Sequence, residues 1–299
     1  MLDNLSLLWQ APILGVDLLL QGLFIGAIFA LVAYGLALVW GVMNVKNLAQ
    51  GDMVILGGYI AYQATLWGLH PIVALPAAIV LMFGLGWLIY LLIIRRVVDR
   101  DMFTSLLATF GLSLLIQQVL NLIYGPEVKV AESGFGSVQL GSFIIVQNVR
   151  FYSLLMAAAL AAAIVLFMKR SRMGQAIRAT AQDPRAARVL GVNTDQVYAF
   201  TYALNASICG AAGVLVAMIW VIQPYYGIVY SIRAFIIVTA AGLGNLPGVI
   251  VAGFGLGMWE NVAGFVFGAE FAVAAVVIML VLVLMYRLLQ SYRVRQVVR

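Results

Sequence analysis

Seven stretches of this chain contain no Asp, Glu, Lys or Arg: 18–45, 53–94, 102–126, 151–168, 196–232, 234–259 and 271–286. A helix needs roughly 20 apolar residues to cross a bilayer, so most windows hold one span and the two longest hold a pair. They are too long, and alternate too weakly, for the strands of a membrane barrel. Composition agrees. The chain has 299 residues, 65% hydrophobic and 9% charged, with mean hydropathy +1.07, against about 25% charged in a soluble domain. The expected fold class is an all-α polytopic membrane protein of about eight to nine transmembrane helices, forming one transmembrane domain over 1–299. Residues 1–17 read as an interfacial lead-in, with Trp9 near the surface and Pro12 breaking the helix. They lack the basic n-region of a cleavable signal.

Composition also excludes chemistry. One cysteine (Cys209) and one histidine (His70) cannot build a disulfide, a His/Cys metal centre or a Ser/His/Asp triad within the chain. No metal site or catalytic residue is expected. The net charge of +6 comes from basic residues flanking spans, which points to membrane lipid rather than nucleic acid.

Charge placement sets the orientation. The clusters 95–100, 169–188 and 287–299 hold three, six and four of the seventeen basic residues, and short cytoplasmic loops collect Lys and Arg. From 197–222 an odd number of crossings must return to the basic tail, so the next segment is expected to cross as a broken helix. Counting backwards puts the N-terminus outside.

Two segments interrupt the spans. GVMNVKNLAQGD (41–52) puts Asn44, Asn47, Gln50, Gly51 and Asp52 between apolar runs, and AGLGNLPG (241–248) does the same with Gly242, Gly244 and Asn245. Polar, non-helical backbone at membrane depth is tolerated where protein buries it or where it lines a water-filled cavity; an ordinary loop at the membrane surface is the plainer reading. Glycine- and proline-interrupted helices in transport proteins mark substrate pathways. Glu260, a carboxylate inside an apolar run, is either a pathway group or one half of a structural pair. Elsewhere, Gly22 and Gly26 predict a close helix–helix approach, Gln117 and Asn121 share one face of the fourth span, and SVQLGSFIIVQNVRF predicts a small hairpin.

The longest charged stretch between spans is 169–196. Within it, Asp183 can cap a helix that Pro184 opens and Gly191 closes in a left-handed conformation. A short, capped helix outside the bilayer suggests a docking surface for a soluble partner.

Four blocks make the chain resemble, over nearly its whole length, the permease subunits of branched-chain amino acid ABC importers. They are QGLFIGAIFALVAYGLALVWGVMNVKNLAQGDMVILGGYIAY, SRMGQAIRATAQDPRAARVLGVNTDQVYAFTYAL, AGLGNLPGVIVAGFGLGMWE and the RAF of Arg233 to Phe235. The resemblance implies that the 183–191 helix (Asp183, Pro184, Arg185, Ala186, Ala187, Arg188, Leu190 and Gly191) fits a cleft on an ATPase. It implies a second homologous permease chain, two ABC ATPases that bind ATP and Mg, and a periplasmic or extracellular solute-binding protein. The setting would be a bacterial or archaeal cytoplasmic membrane. The chain itself carries no GxxxxGK[ST] phosphate loop, so ATP hydrolysis would belong to the partners. Gln50 stands where many relatives have histidine, Ala241 where they have glycine, and Met285-Tyr286-Arg287-Leu288 replaces the usual Arg-Pro-x-Gly-Leu-Phe-Gly ending. These departures bear on cargo: branched-chain amino acids, or urea, short amides or other small polar solutes. An ion-coupled carrier has few intramembrane ionisable groups to work with, an intramembrane enzyme lacks paired Asp or clustered His, and the glycine content leaves a passive channel open.

Overall fold

The computed structural model describes residues 12–297 apart from 99, 133, 135–136, 141–143 and 243, with backbone alone at 12, 137–140, 144–147 and 290–297. Its helices are α1 (Pro12–Met43), α2 (Gln50–Leu66), α3 (Ala74–Leu92), α4 (Met102–Tyr124), α5 (Asn148–Arg170), α6 (Arg172–Gln182), α7 (Pro184–Val189), α8 (Thr194–Ile219), α9 (Gly227–Ala241), α10 (Leu246–Phe267) and α11 (Ala272–Val297). The expected hairpin forms between α4 and α5: β1 (Ser137–Leu140) pairs antiparallel with β2 (Ile144–Gln147), Ser137 opposite Gln147. Trp9 and the rest of 1–11 lie outside the described residues. Among the described residues Pro12 stands in the first turn of α1, where its missing N–H costs nothing.

Among the described residues eight helical spans are long and apolar enough to cross a membrane. α2, at 17 residues, is shorter. Gln50 at its start donates to the carbonyl of Val32, which lies about 16 Å of helical rise back from the end of α1. The chain leaves α1, climbs back through the non-helical residues 44–49, and starts α2 halfway up the bundle.

The basic clusters mark one face. Arg287 Nη2 donates to the carbonyl of Ala240 at 2.8 Å, and Arg95 pairs with Asp195 at 3.1 Å. The opposite face holds the 126–127 loop, where Gln223 Nε2 donates to the carbonyl of Pro126 at 3.1 Å. α9 therefore runs from that outer face to the basic one, and the 242–245 turn beside Arg287 is a tight reversal. Here the structure corrects the expected broken helix. Residues 220–241 make that pass together: Pro224–Tyr226 form a 3-10 turn, Gly227 opens α9 level with the start of α2, where it meets Gly51 and Asp52, and α10 returns antiparallel. The odd parity holds, through three passes instead of a split one. Arg233, sitting inside α9, made its apolar run look too short.

α1 and α8 are buried on nearly all sides and form the axis of the bundle. With lipid tails as apolar as leucine, helices associate through close packing of small residues rather than by escape from water. A Cβ added to Gly26 would stand 2.8 Å from the Cα of Phe254, and one on Gly257 2.5 Å from the Cα of Gly26, so α1 and α10 touch backbone to backbone as Gly22 and Gly26 predict. α2 and α8 meet likewise at Gly57 and Gly210, where an added Cβ would lie 2.6 Å from the facing Cα.

Candidate functional site

Three constellations carry the polar chemistry. The first is on the basic face. Asp183 accepts hydrogen bonds from the Arg185 and Ala186 amides at 2.8 and 3.0 Å, Pro184 fills the first turn of α7, and Gly191 takes φ +87°, a conformation costly for any residue with a Cβ. Those two amide hydrogen bonds, Ala186 first, hold the Asp183 carboxyl below the usual carboxylate range. The return to α8 is stitched by the Val192 amide to the Ala187 carbonyl at 3.0 Å, Arg188 Nε to Thr194 Oγ1 at 2.6 Å, and the Asn193 cap on Gln196. Ala187 turns inward and is buried, while Val189 and Leu190 are 88% and 82% exposed. Two large apolar side chains are thus displayed beyond the spans on a rigid knob; the sequence singled out Leu190 but not Val189.

The second constellation is the re-entrant stretch. Asn47, Gln50 and Asp52 are fully buried. Gln50 and Asn205 form a closed amide pair, Nε2 to Oδ1 at 2.9 Å and Nδ2 to Oε1 at 3.0 Å. Asn47 Nδ2 donates to Gln50 Oε1 at 3.2 Å, and Gly51 N donates to Ser231 Oγ at 2.8 Å. Asp52 accepts from Ser113 and, at 3.0 Å, from Gln117, whose partner on the same face, Asn121, stays outside the network. Thr109 Oγ1 bridges the Lys46 carbonyl and the Leu48 amide. α2 thus begins inside protein, with backbone groups at its start taken by Thr109 of α4 and Ser231 of α9 and its Gln50 side chain by Asn205 of α8. None of these side chains lines the cavities described among these residues. Asn44, by contrast, is exposed at the basic end in a left-handed turn with φ 55°. Gly244 and Asn245 are exposed on that same face; Asn245 caps α10 through Gly248 N at 3.0 Å, and Gly242 backs onto the Arg287 guanidinium.

The third lies in the outer half. Arg233 on α9 grips Glu260 on α10 with both prongs, Nε to Oε2 at 2.9 Å and Nη2 to Oε1, and each side chain is 13% exposed. Its guanidinium lies 5.0 Å over the ring of Phe29, which stacks on Trp220 at 6.3 Å. The pair borders a cavity of about 630 Å³ between α1, α9, α10, the start of α11 and Trp220-Val221. The sequence singled out Glu260 without its partner. A lone cation punctuating otherwise charge-free windows was the signal that could have found Arg233.

The nine pathway candidates therefore separate: Asn47, Gln50, Gly51 and Asp52 in a closed internal network, Asn44, Gly242, Gly244 and Asn245 at the basic mouth, and Glu260 at the outer cavity.

Comparison with known proteins places this architecture. Residues 18–286 match the family model described as the permease component of branched-chain amino acid transport systems. The high-affinity branched-chain amino acid transport system permease protein LivH of Escherichia coli (strain K12) is 29% identical over 283 residues, covering 89% of this chain and 91% of that one. BraD of Pseudomonas aeruginosa, described in the same words, is 27% identical over 285 residues, covering 90% and 92%. A solved structure, PsaBC from Streptococcus pneumoniae in complex with Fab, covers 95% of both chains with TM-score 0.51 and 14% identity, a likeness of fold. The chain is a multi-pass membrane protein and belongs to the family of permease components of branched-chain amino acid transport systems.

Proposed function

We propose that this chain is the membrane-spanning subunit of an ATP-driven importer in a bacterial or archaeal cytoplasmic membrane, and that it moves branched-chain or closely related amino acids inward. It performs no catalysis. Two ATPase subunits supply the hydrolysis of ATP with Mg, a second, homologous permease chain completes the path, and an external binding protein delivers the solute. The observation that carries this reading is the tip of α7: a capped, internally stitched helix presenting Val189 and Leu190 outside the spans. Apolar side chains in water, held rigidly at the end of a polar segment, fit the cleft of a soluble partner. The charge rule puts that tip in the cytoplasm, where ATP is.

The mechanics follow from what α7 is attached to. A push on α7 passes through the Arg188–Thr194 bond and the Asn193 cap into α8. α8 holds the start of α2 through Asn205 and packs on α2 at Gly57 and Gly210. The re-entrant network thus transmits force between the docking face and the outer half of the bundle. Selectivity is left to the delivery protein and to the outer cavity, because tight binding at mid-membrane would slow release.

The test is recovery from the native host under mild detergent. ATPase subunits should co-purify, and reconstituted complex should take up amino acid only with ATP. Gly191→Val, which forces a β-branched residue into the left-handed region, should leave an inserted permease that has lost its ATPases or is uncoupled. Full transport by the chain alone in liposomes without ATP would sink the reading.

A further inference from the structure

The cavity beside Arg233 and Glu260 is large enough for a small molecule, within the roughly 300–1,000 Å³ of ligand sites. Its position is outward: Arg233 lies in the first half of α9 as the helix descends from the outer face, and Glu260 near the outer end of α10. A buried ion pair is a poor device for stability alone, since two apolar residues of similar volume do as well or better. What distinguishes this pair is its spare valence. Of five guanidinium N–H groups, two go to Glu260 and one, from Nη1, to the Val229 carbonyl at 3.3 Å. One N–H on each Nη is left over, and each Glu260 oxygen keeps a free lone pair. The surrounding wall is apolar and aromatic: Phe29, Trp220, Tyr230 and Val229.

We propose that this cavity is an outer reception site for an amino acid with an apolar side chain. The carboxylate of the ligand takes the spare Nη hydrogens of Arg233. Its ammonium takes the free lone pairs of Glu260, with Tyr230 beside it adding cation–π attraction. Its side chain lies against the Trp220 and Val229 wall. Because the pair is neutral, a zwitterion adds no net charge inside the membrane, whereas a simple anion or cation leaves one uncompensated. Urea or a short amide would leave the aromatic wall uncovered. The proposal rests on the transporter reading and adds to it a place and a chemistry. A zwitterionic lipid headgroup shares the ammonium-plus-anion chemistry, and the two sources separate in one experiment.

The permease–ATPase complex is placed in nanodiscs of phosphatidylglycerol, with and without phosphatidylethanolamine, and tryptophan fluorescence is followed as L-leucine is added. Leucine should give a saturable change in both lipids that disappears in Trp220→Phe. 4-Methylpentanoate, lacking the ammonium, and 3-methylbutylamine, lacking the carboxylate, should each bind about tenfold or more weakly, as each forfeits a charge-assisted contact. The double variant Arg233→Gln/Glu260→Gln keeps a neutral hydrogen-bonding pair; it should melt like the parent and lose leucine affinity about tenfold or more. If that variant fails to insert, Phe29→Leu provides the second measurement, removing the aromatic floor beneath the guanidinium and weakening leucine severalfold. Leucine affinity unchanged in these variants, analogues that bind as well as leucine, or a signal that follows phosphatidylethanolamine alone would each overturn the proposal. ATP-driven uptake with no leucine response at the cavity defeats the site and spares the importer. A leucine response in a chain that recruits no ATPase does the reverse.

Discussion

The re-entrant network and the outer ion pair are both polar, both inside the bundle, and built for opposite ends. Around Gln50 the amide closes a ring with Asn205 on another helix. Asn47 adds a donor while its own Oδ1 stays buried without a partner, and none of the three borders a described cavity. Around Glu260 the charges cancel but the hydrogen-bonding capacity does not run out, and a cavity adjoins it. Polarity within a membrane therefore has two uses that residue type does not separate. A closed network specifies which helices touch; an open one leaves valence for a ligand. What distinguishes them is the accounting of donors and lone pairs against adjacent space.

The largest expected effect breaks the outer pair on one side. Arg233→Leu strands the Glu260 carboxylate and should destabilise the permease by about 3–5 kcal/mol in detergent unfolding. Arg233→Leu/Glu260→Leu should recover most of that and still fail in uptake. A double variant as unstable as the single would mean the pair's role is architectural, and the contrast with the inner network would collapse.

Close packing at the inner network comes next. A Cβ on Gly51 would overlap the Gly227 carbonyl and stand 2.7 Å from Ser231 N, with helix backbone on the far side and nothing free to move. Gly51→Ala should cost at the upper end of the range of about 1–3 kcal/mol for overpacking, or beyond it. Gly255→Ala, which meets nothing within 4 Å, should be silent. Equal thermal midpoints for the two would show that the start of α2 has room to give.

Gln50→Leu then sharpens the comparison from the other direction. It leaves the buried Asn205 amide without its partner, a loss of about 1–3 kcal/mol, and Gln50→Leu/Asn205→Leu should restore much of it. Uptake kinetics should track stability across this series. A shift in solute preference at unchanged stability would move Gln50 into the pathway after all.

The same distinction explains what the sequence could and could not disclose. Span positions, the hairpin, the small-residue contact at Gly22 and Gly26 and the caps of α7 are local or periodic properties, and each was legible. Whether Asn47 to Asp52 would line water or protein was not, because the deciding partners, Asn205 and Ser231, lie on distant helices. The pass that ends in α9 was hidden for a related reason. Arg233 shortened its apolar run, and only Glu260 on the next helix makes a guanidinium acceptable there. Of the 169–196 stretch, the capped helix could be read but its outward face could not; Ala187 and Val189 differ little in polarity, yet one is buried and the other bare.

The smallest expected effect on stability is also the most telling about partners. Val189→Ser/Leu190→Ser removes apolar surface that touches almost nothing in this chain, so unfolding should stay within about ±0.5 kcal/mol of the parent. Recovery of ATPase subunits should nevertheless fall away, because the substitution strips the tip and leaves its support intact. Acid should not mimic it over the working range. The Asp183 carboxyl is held low by its capping bonds, so its contribution is present above the ordinary aspartate pKa of about 3.9 and is lost only as pH falls through the lowered value. ATPase recovery by the parent should therefore be level from about pH 5 to 8 as far as this cap is concerned. Unchanged recovery with the doubly substituted tip would place the docking surface elsewhere on the basic face, and α7 would then be a connector between α6 and α8.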